Sequence, residues 1–356
     1  MRIAFYAPLK APDHPTPSGD RRIGRLLMDA LKLAGHEVEL VSRFRSRDDG
    51  TNPGRAARLA VIGAKLAARL GDRLSRDPPD LWFTYHLYYK APDYLGPALS
   101  RRLGVPYVVA EASIAGKRAG IAGHEAALAA LGAADLAINL NPADQAGIQP
   151  HLKPSARLLA LAPFLEAAPP QIERPERNAP VLLAVAMMRP GDKLASYRLL
   201  AEALMEAVDL DWTLTIAGDG PARSAVEALF APFGARVTFL GLCDAKELER
   251  LYAGSDLLVW PAINEAFGMA LLEAQAAGLP VIAGNCGGVG AIVRDGFTGL
   301  TPPVGDVFAF ADRLRLMLER PSLRRAFGRA ARETVRAEHL IATASARLKS
   351  ALADLR

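Results

Sequence analysis

Residues 256–284, DLLVWPAINEAFGMALLEAQAAGLPVIAG, hold two apolar runs on either side of a helical pattern. The runs at 256–260 and 280–284 are typical of strands that are buried on both faces. The helical pattern between them begins near Phe267 and stops at Gly278, since glycine is a common helix terminator. The order strand, helix, strand predicts a βαβ unit with two parallel strands.

The same alternation of apolar runs and helical segments extends through the rest of the chain. Between its two halves, residues 163–180 are rich in proline and charge and lack periodicity, so they predict a linker. The fold class is therefore α/β, with two doubly wound Rossmann-like domains whose parallel sheets face a central cleft. Further strands are predicted at 2–7, 37–42, 81–85, 106–110 and 135–140, and then at 181–187, 212–218 and 236–241.

The length of 356 residues favours two domains of ordinary size. We expect an N-terminal domain at 1–165, a linker at 166–180, a second domain at 181–335 and a C-terminal helix at 336–356. The tail has only helical periodicity, which leaves open whether it packs on its own domain or crosses back to the first.

The composition, 51% hydrophobic and 23% charged, indicates a folded globular protein. Its two cysteines, Cys243 and Cys286, are too few for a disulfide framework and lack the spacing of a zinc site, which favours a reducing compartment. No long uncharged apolar stretch and no apolar leader are found, so we expect a cytoplasmic protein. Residues 1–165 have a net charge of +7 and the remainder −2; a basic half is typical of contact with phosphates, nucleic acid or an anionic membrane, or simply of solvated surface.

Two acids in the opening stretch are candidate ligand-binding residues. Glu265 lies in the loop before the helix, where free N–H groups and the helix dipole favour an anion such as a diphosphate. Glu273 lies about two turns further on and within roughly 80° of Glu265 around the axis, so both can border one ligand. Ionised carboxylates accept hydrogen bonds from the paired hydroxyls of a sugar. The alternative is that Glu265 is a capping acid and Glu273 an ordinary surface residue.

Two cations, Arg189 and Lys193, follow the predicted strand at 181–187. At this position they can neutralise the charge that develops on a departing diphosphate. As isolated residues they would be solvated surface.

Four residues of the first half follow predicted strands in the same way. Gly19 and Asp20 lie where the loop at 10–27 enters a helix, and His86 and Tyr88 are expected in a loop after the strand at 81–85. The strand ends predict a ligand-facing position. A glycine kept for packing and a structural histidine are the alternatives.

The stretch from Glu265 to Glu273, with seven residues between the acids, followed by Gly287 and Gly288, resembles retaining glycosyltransferase family 4. The segment AGDGP at 217–221 and FLG at 239–241 stand in the family's order. The resemblance implies the GT-B fold and retaining transfer of a hexose-type sugar from a UDP- or GDP-sugar, with no cofactor or metal required. It also implies a saccharide, lipid-linked or small-molecule acceptor, a role in cell-envelope polysaccharide synthesis and no nucleic-acid partner.

The resemblance also implies roles for individual residues. Glu273 is expected to hold the donor ribose, Glu265 the transferred sugar, and Arg189 and Lys193 the diphosphate. Other residues expected to bind the donor are Phe267, Gly268, Met269, Ala270 and Gly218. From their positions at predicted strand ends, rather than from the resemblance, Gly19 is expected to bind the donor, His86 to assist catalysis, and Asp20 and Tyr88 to lie on the acceptor side, with Glu111 beside them.

The sequence departs from the family at three places. Ala112 stands at the position where the family has a histidine. Glu111 or His86 is therefore expected to take the place of that histidine. Ala291 stands where an acid is common. Residues 163–165 replace the usual Asn-Gly turn near the linker.

No carboxylate is placed by motif as a covalent nucleophile, so we expect front-face transfer in which the donor phosphate helps deprotonate the acceptor. Alternatives on the same fold are a phosphorylase, a nucleotide-sugar epimerase or a non-catalytic nucleotide-sugar binding protein. A dinucleotide-dependent oxidoreductase is disfavoured because no G-x-G-x-x-G follows the first strand.

Residues 55–76 form a basic amphipathic helix in the predicted pattern. One face is apolar, and the basic face is consistent with peripheral contact with an anionic membrane. The alternative is that the apolar face packs on the sheet. The apolar residues are Leu59, Leu66, Leu70 and Leu74, and the basic ones are Arg58, Lys65, Arg69 and Arg73.

Overall fold

The computed structural model describes residues 1–16, 18–48, 52–114, 116–170, 177, 179–266 and 268–355. The chain divides into two compact units, Met1–Ala162 together with Ile341–Arg356 (unit 1), and Pro163–Leu340 (unit 2). Each unit contains one six-stranded parallel sheet.

In unit 1 the strand order is β2-β1-β3-β4-β5-β6. The central strands are largely apolar and buried because helices cover both faces of a parallel sheet, and their polar residues include His86 in β3 and Glu111 in β4. The strands are β1 (Arg2–Tyr6), β2 (Glu37–Ser42), β3 (Leu81–Tyr88), β4 (Tyr107–Ser113), β5 (Leu136–Asn139) and β6 (Arg157–Ala160). The helices are α1 (Gly19–Leu33), α2 (Pro53–Leu74), α3 (Gly96–Leu103), α4 (Ala122–Ala133) and α5 (Gln145–Ile148).

In unit 2 the strand order is β12-β11-β10-β7-β8-β9. The strands are β7 (Val181–Val185), β8 (Thr213–Ala217), β9 (Val237–Gly241), β10 (Leu257–Trp260), β11 (Val281–Ala283) and β12 (Gly299–Leu300). The helices are α6 (Asp192–Met205), α7 (Arg223–Phe230), α8 (Ala245–Gly254), α9 (Met269–Ala276), α10 (Val307–Glu319) and α11 (Pro321–Glu338).

The last helix, α12 (Ile341–Ala353), belongs to unit 1 and packs against α1. Arg157 of β6 holds the C-terminal end of α12, because the Arg157 guanidinium lies 2.7 Å from the Asp354 carboxylate. The change of unit follows α11, where the Leu165 N–H donates to the His339 carbonyl at 2.9 Å. The Nδ1 atom of His339 lies 2.7 Å from the Pro163 carbonyl oxygen.

The two doubly wound parallel sheets confirm the predicted fold class. Two strands were not predicted, β6 and β12, which are the short edge strands of their sheets. The prediction that His86 follows its strand in a loop is wrong, since β3 continues to Tyr88. None of the described helices has the length and apolar character to cross a membrane.

Candidate functional site

The loop between β10 and α9 carries Glu265 in a strained conformation. Ala262 and Asn264 have φ angles of 54° and 56°, a region that costs a non-glycine residue about 1–3 kcal/mol. Gly268, also left-handed, is the N-cap of α9. The loop therefore holds Glu265 just before the N-terminus of α9, as the sequence predicts.

Contacts with the start of α6 hold this loop in place. The buried Ser196 hydroxyl donates to the Asp192 carbonyl at 2.9 Å and accepts the Ile263 N–H at 3.0 Å. The Asn264 side-chain amide donates to the Asp192 carboxylate at 2.7 Å. A loop that is bonded at both backbone and side chain positions its carboxylate with little remaining freedom.

Glu265 and Lys193 form an ion pair beside this loop. The Lys193 Nζ donates to Glu265 Oε2 at 2.5 Å, and Trp260 Nε1 donates to the same oxygen at 3.2 Å. The two charged side chains are 32% (Lys193) and 17% (Glu265) exposed, and Lys193 Nζ lies 5.2 Å from the centre of the Trp260 ring. The pair is thus partly shielded from water, where charge–charge interactions are stronger than on an open surface.

Glu273 lies on α9 and is half-buried. The Tyr252 hydroxyl of α8 donates to Glu273 Oε2 at 2.8 Å, which fixes the direction of the carboxylate. Ionised carboxylates accept hydrogen bonds from hydroxyl groups, which are the donors that a sugar ligand presents. Met269 and Ala270, in the first turn of α9, are also half-buried.

The remaining predicted residues of unit 2 differ in their surroundings. Arg189 is exposed and, among the described residues, has no ion-pair partner. Gly218, which follows β8, is buried, and a Cβ placed on it would lie 1.9 Å from the carbonyl oxygen of Ala186, which follows β7. Only a glycine lets the two backbones come this close. Phe267 lies outside the described residues. Ala291 lies in a short 3-10 turn, Val289–Ala291.

In unit 1, a second group of charged residues forms at the carboxyl ends of neighbouring strands. His86 Nδ1 lies 3.4 Å from Asp20 Oδ1 and 3.7 Å from Glu111 Oε1. Asp20 is in the first turn of α1, after the N-cap Ser18. The structure therefore brings together three residues that the sequence marks as ligand-facing. Gly19 begins α1, and a Cβ there would meet no atom within 4 Å.

His86 and Glu111 share a backbone irregularity. Their φ angles are 67° and 57°, and they lie opposite each other between the pairs Tyr85–Ala110 and Leu87–Ala112. Two left-handed residues at one level of a parallel ladder are locally unfavourable. The sequence gives no sign of this, because neither position is a glycine. Ala112, which stands where the family has a histidine, is buried in β4.

The acids and the imidazole change one another's protonation. The contact with His86 lowers the pKa of Asp20. Burial lowers the pKa of His86, but the charges of Glu111 and Asp20 outweigh burial, so its pKa is raised. Burial raises the pKa of Glu111, and the charge of His86 offsets only part of this rise. The protonated imidazole is thus stabilised between carboxylates.

Sequence reasoning missed a fourth charged residue of this group, Asp144, and the aromatic residues that orient the acids of unit 2. Asp144 accepts a hydrogen bond from the Ser113 hydroxyl at 2.8 Å, and burial raises its pKa. It follows β5, so the strand-end argument that marked His86 applied to it as well. Tyr88 is half-buried, with its ring centre 4.9 Å from that of His86.

Known proteins resemble this chain in sequence and in fold. Residues 170–334 match the model of the family described as glycosyl transferases group 1. The sulfoquinovosyl transferase SQD2 of Arabidopsis thaliana is 32% identical over 44% of this chain and 30% of its own length. The D-inositol 3-phosphate glycosyltransferase of Arthrobacter sp. (strain FB24) is 26% identical over 93% of this chain and 90% of its own length.

Among solved structures, the sucrose-phosphate synthase (tll1590) of Thermosynechococcus elongatus has a TM-score of 0.74 at 21% identity and covers 99% of this chain and 98% of its own. Anabaena Alr3699/HepE, in complex with UDP, has a TM-score of 0.75 at 16% identity, covering 99% of this chain and 100% of its own. These likenesses show the GT-B fold. The chain spans about a third of the length of the first curated relatives, at 30% and 33%.

Proposed function

We propose that this chain, whose residues 170–334 match the family of glycosyl transferases group 1, is a retaining hexosyltransferase that uses a nucleotide diphosphate sugar. The observation that carries the proposal is the Lys193–Glu265 pair beside the N-terminus of α9. It joins a cation, a carboxylate and free backbone N–H groups at one end of one sheet, which suits a sugar attached to a diphosphate.

In the proposed reaction, the bond between the sugar's anomeric carbon and the diphosphate oxygen breaks while an acceptor oxygen attacks from the same face. The proton of the acceptor hydroxyl moves to the leaving phosphate. Lys193 and Arg189 stabilise the negative charge on that phosphate. Glu265 accepts hydrogen bonds from the sugar hydroxyls, and Glu273 accepts those of the ribose.

The cations of unit 2 supply the charge stabilisation that a divalent metal supplies in other transferases, so we propose that no metal or other cofactor is required. Among the described residues, no group of three or more His, Cys, Asp or Glu side chains is arranged to hold a metal ion. Turnover that is unchanged after dialysis against EDTA is the expected result. Loss of turnover that Mg²⁺ or Mn²⁺ restores would contradict this part of the proposal.

Several comparisons support a nucleotide donor. Alr3699/HepE has been solved with UDP and with UDP-glucose, and the two curated relatives described above are named as sugar transferases. We therefore propose a UDP- or GDP-linked hexose as donor and a saccharide, lipid-linked or small-molecule acceptor. A place in cell-envelope polysaccharide synthesis and a cytoplasmic location belong to the same proposal, with Cys243 and Cys286 as reduced thiols.

The experiment has two stages. A panel of nucleotide sugars is first screened by thermal shift, because a ligand that binds only the folded protein raises its melting temperature. The donor found is then incubated with candidate acceptors, and the anomeric configuration of the product is read by NMR. Release of nucleoside diphosphate together with an α-linked product from an α-linked donor supports the proposal.

Other outcomes point to the alternative activities. Interconversion of the nucleotide sugar without an acceptor would indicate an epimerase, and release of sugar 1-phosphate from a glycoside in the presence of inorganic phosphate would indicate a phosphorylase. Binding without transfer to any acceptor would indicate a non-catalytic protein. Glu265→Gln serves as the matched variant, since it preserves the volume of the side chain while removing its charge; we expect it to lower kcat by about 10²-fold or more.

The proposal also includes peripheral contact between α2 and an anionic membrane, through the predicted basic residues but with apolar residues other than the predicted leucines. Leu74 is buried, and Leu66 and Leu70 pack on the core of unit 1, so the leucine stripe faces the sheet. The outer face carries Val61 and Ile62, which are 55% and 46% exposed. Five exposed basic residues accompany them, namely Arg55, Arg58, Lys65, Arg69 and Arg73.

A basic face with two exposed apolar residues favours weak, salt-sensitive adsorption. Co-sedimentation with vesicles of phosphatidylglycerol at low salt is expected, and it should disappear at about 0.5 M salt, where the screening length is only a few ångströms. No pelleting at low salt would remove the membrane from the proposal.

A further inference from the structure

Four polar groups of unit 1 converge at one end of its sheet. Asp20 follows β1, His86 and Glu111 lie in β3 and β4, and Asp144 follows β5. These four strands are neighbours in the sheet. The carboxyl ends of adjacent parallel strands are where α/β domains bind ligands, so the four groups face one position.

Three of these groups are acids and one is an imidazole. Even with His86 protonated, the ionised cluster has one positive charge against three negative charges. Lys10 lowers the pKa of Asp20 further, and the positive charge that lowers the pKa of Glu111 and Asp144 is that of His86. A phosphate or carboxylate placed here would add to a negative charge that is already incompletely balanced.

Several buried polar atoms of the cluster have no hydrogen-bond partner among the described residues. The Glu111 side chain is 9% exposed, and its Oε2 atom has no hydrogen-bond partner among the described residues. The Tyr85 hydroxyl and His86 Nδ1 also lack hydrogen-bond partners within that part of the chain. Buried polar groups are usually satisfied, so an unsatisfied set next to a strand-end site points to a missing ligand. The Asp20 side chain is 39% exposed, so the cluster is open to solvent at Asp20.

We propose that this cluster binds a protonated amine of the acceptor, so that the acceptor is an amine-bearing sugar or cyclitol rather than a phosphorylated one. The ammonium donates to the Asp20 carboxylate, and its charge stabilises the ionised carboxylates of Glu111 and Asp144 behind it. His86 holds Asp20 in place from the buried side. The inference rests on the proposed transferase function, because it assigns the acceptor of that reaction.

The test compares three ligands of one size by calorimetry, namely glucosamine, glucose and glucose 6-phosphate, at neutral pH and low salt. We expect glucosamine to bind at least tenfold more tightly than glucose, with glucose 6-phosphate weaker still. Asp20→Asn should remove this preference. Asp29→Asn is the matched control, because it makes the same charge change on α1, where Asp29 lies 3.2 Å from Lys32, and it should keep the preference.

Equal binding of glucosamine and glucose, tighter binding of the phosphate, or a preference that survives in Asp20→Asn would each overturn the inference. Donor binding measured in parallel separates the two proposals. If the nucleotide sugar binds and its sugar is transferred to a neutral or phosphorylated acceptor with release of the nucleoside diphosphate, the transferase function stands and the amine site falls. If glucosamine binds as expected but no sugar is transferred from any nucleotide sugar to any acceptor, the transferase function falls and the amine site remains as a binding site.

Discussion

Gly287 lies against the backbone of the Glu265 loop and gives the sharpest test of how that loop is positioned. Its φ angle is 48°, and a Cβ placed on it would lie 2.4 Å from the Glu265 carbonyl oxygen. Real Cβ atoms essentially never approach closer than 3.0 Å. In Gly287→Ala the carbonyl would therefore have to move by about 0.6 Å, and backbone cannot turn aside as a flexible side chain can.

Two effects combine in this variant. Alanine in the left-handed region costs roughly 1–2 kcal/mol, so we expect the free energy of unfolding to fall by about 1–3 kcal/mol. The displaced loop moves the Glu265 carboxylate away from Lys193. Because a misplacement of about 1 Å can cost 10²-fold in rate, we expect kcat/KM to fall by roughly 10- to 100-fold.

Gly290→Ala is the matched control, since a Cβ placed on Gly290 would meet no atom within 4 Å and its φ is not positive. Urea unfolding and steady-state transfer are measured for both variants. A Gly287→Ala protein that matches Gly290→Ala in both measurements would refute the argument that Gly287 positions the loop.

Three further variants test separate parts of the molecule. Arg189→Ala should lower kcat by at least about 10²-fold with an unchanged melting temperature, because the side chain is exposed and its proposed role is to stabilise the leaving group. Equal kcat would count against that role. Tyr252→Phe removes one donor to Glu273 and should raise the donor KM by about fivefold, with kcat little changed, a split read from initial rates. Burial lowers the pKa of His339, so its contribution to stability is complete above about pH 6.5 and is lost as the pH falls below that value. Urea unfolding at about pH 7.5 and about pH 5.5, on either side of that value, should show this loss, and His339→Asn should reduce it.

Much of the fold could be predicted from the sequence because its central strands are buried on both faces. The apolar runs at 181–187 and 256–260 contain β7 and β10, to within two residues. Two of the four edge strands, β6 and β12, were missed: β6 is partly exposed along its length, and β12 has only two residues. Such strands are defined by their neighbours in the sheet rather than by their own pattern.

The ion pair of unit 2 could also be anticipated in part. Lys193 and Glu265 are 72 residues apart, but they follow the adjacent strands β7 and β10, and strand ends meet at one edge of a parallel sheet. The contribution of Trp260 could not be anticipated, because its indole N–H reaches Glu265 only through the turn that the loop makes. Hydrogen-bond partners depend on side-chain direction, which sequence spacing does not define.

The distribution of backbone strain marks both groups of charged residues more clearly than any motif does. Four non-glycine residues with positive φ are found among the described residues, and all four lie at strand ends where candidate ligand-binding side chains gather: His86, Glu111, Ala262 and Asn264. Each costs the folded state about 1–3 kcal/mol, which surrounding contacts must offset. A glycine would remove that strain at any of them, yet His86 and Glu111 would then lose the very side chains that meet across β3 and β4. The strain at these two positions is therefore best explained by the chemistry of the side chains, because packing alone would be served by a glycine.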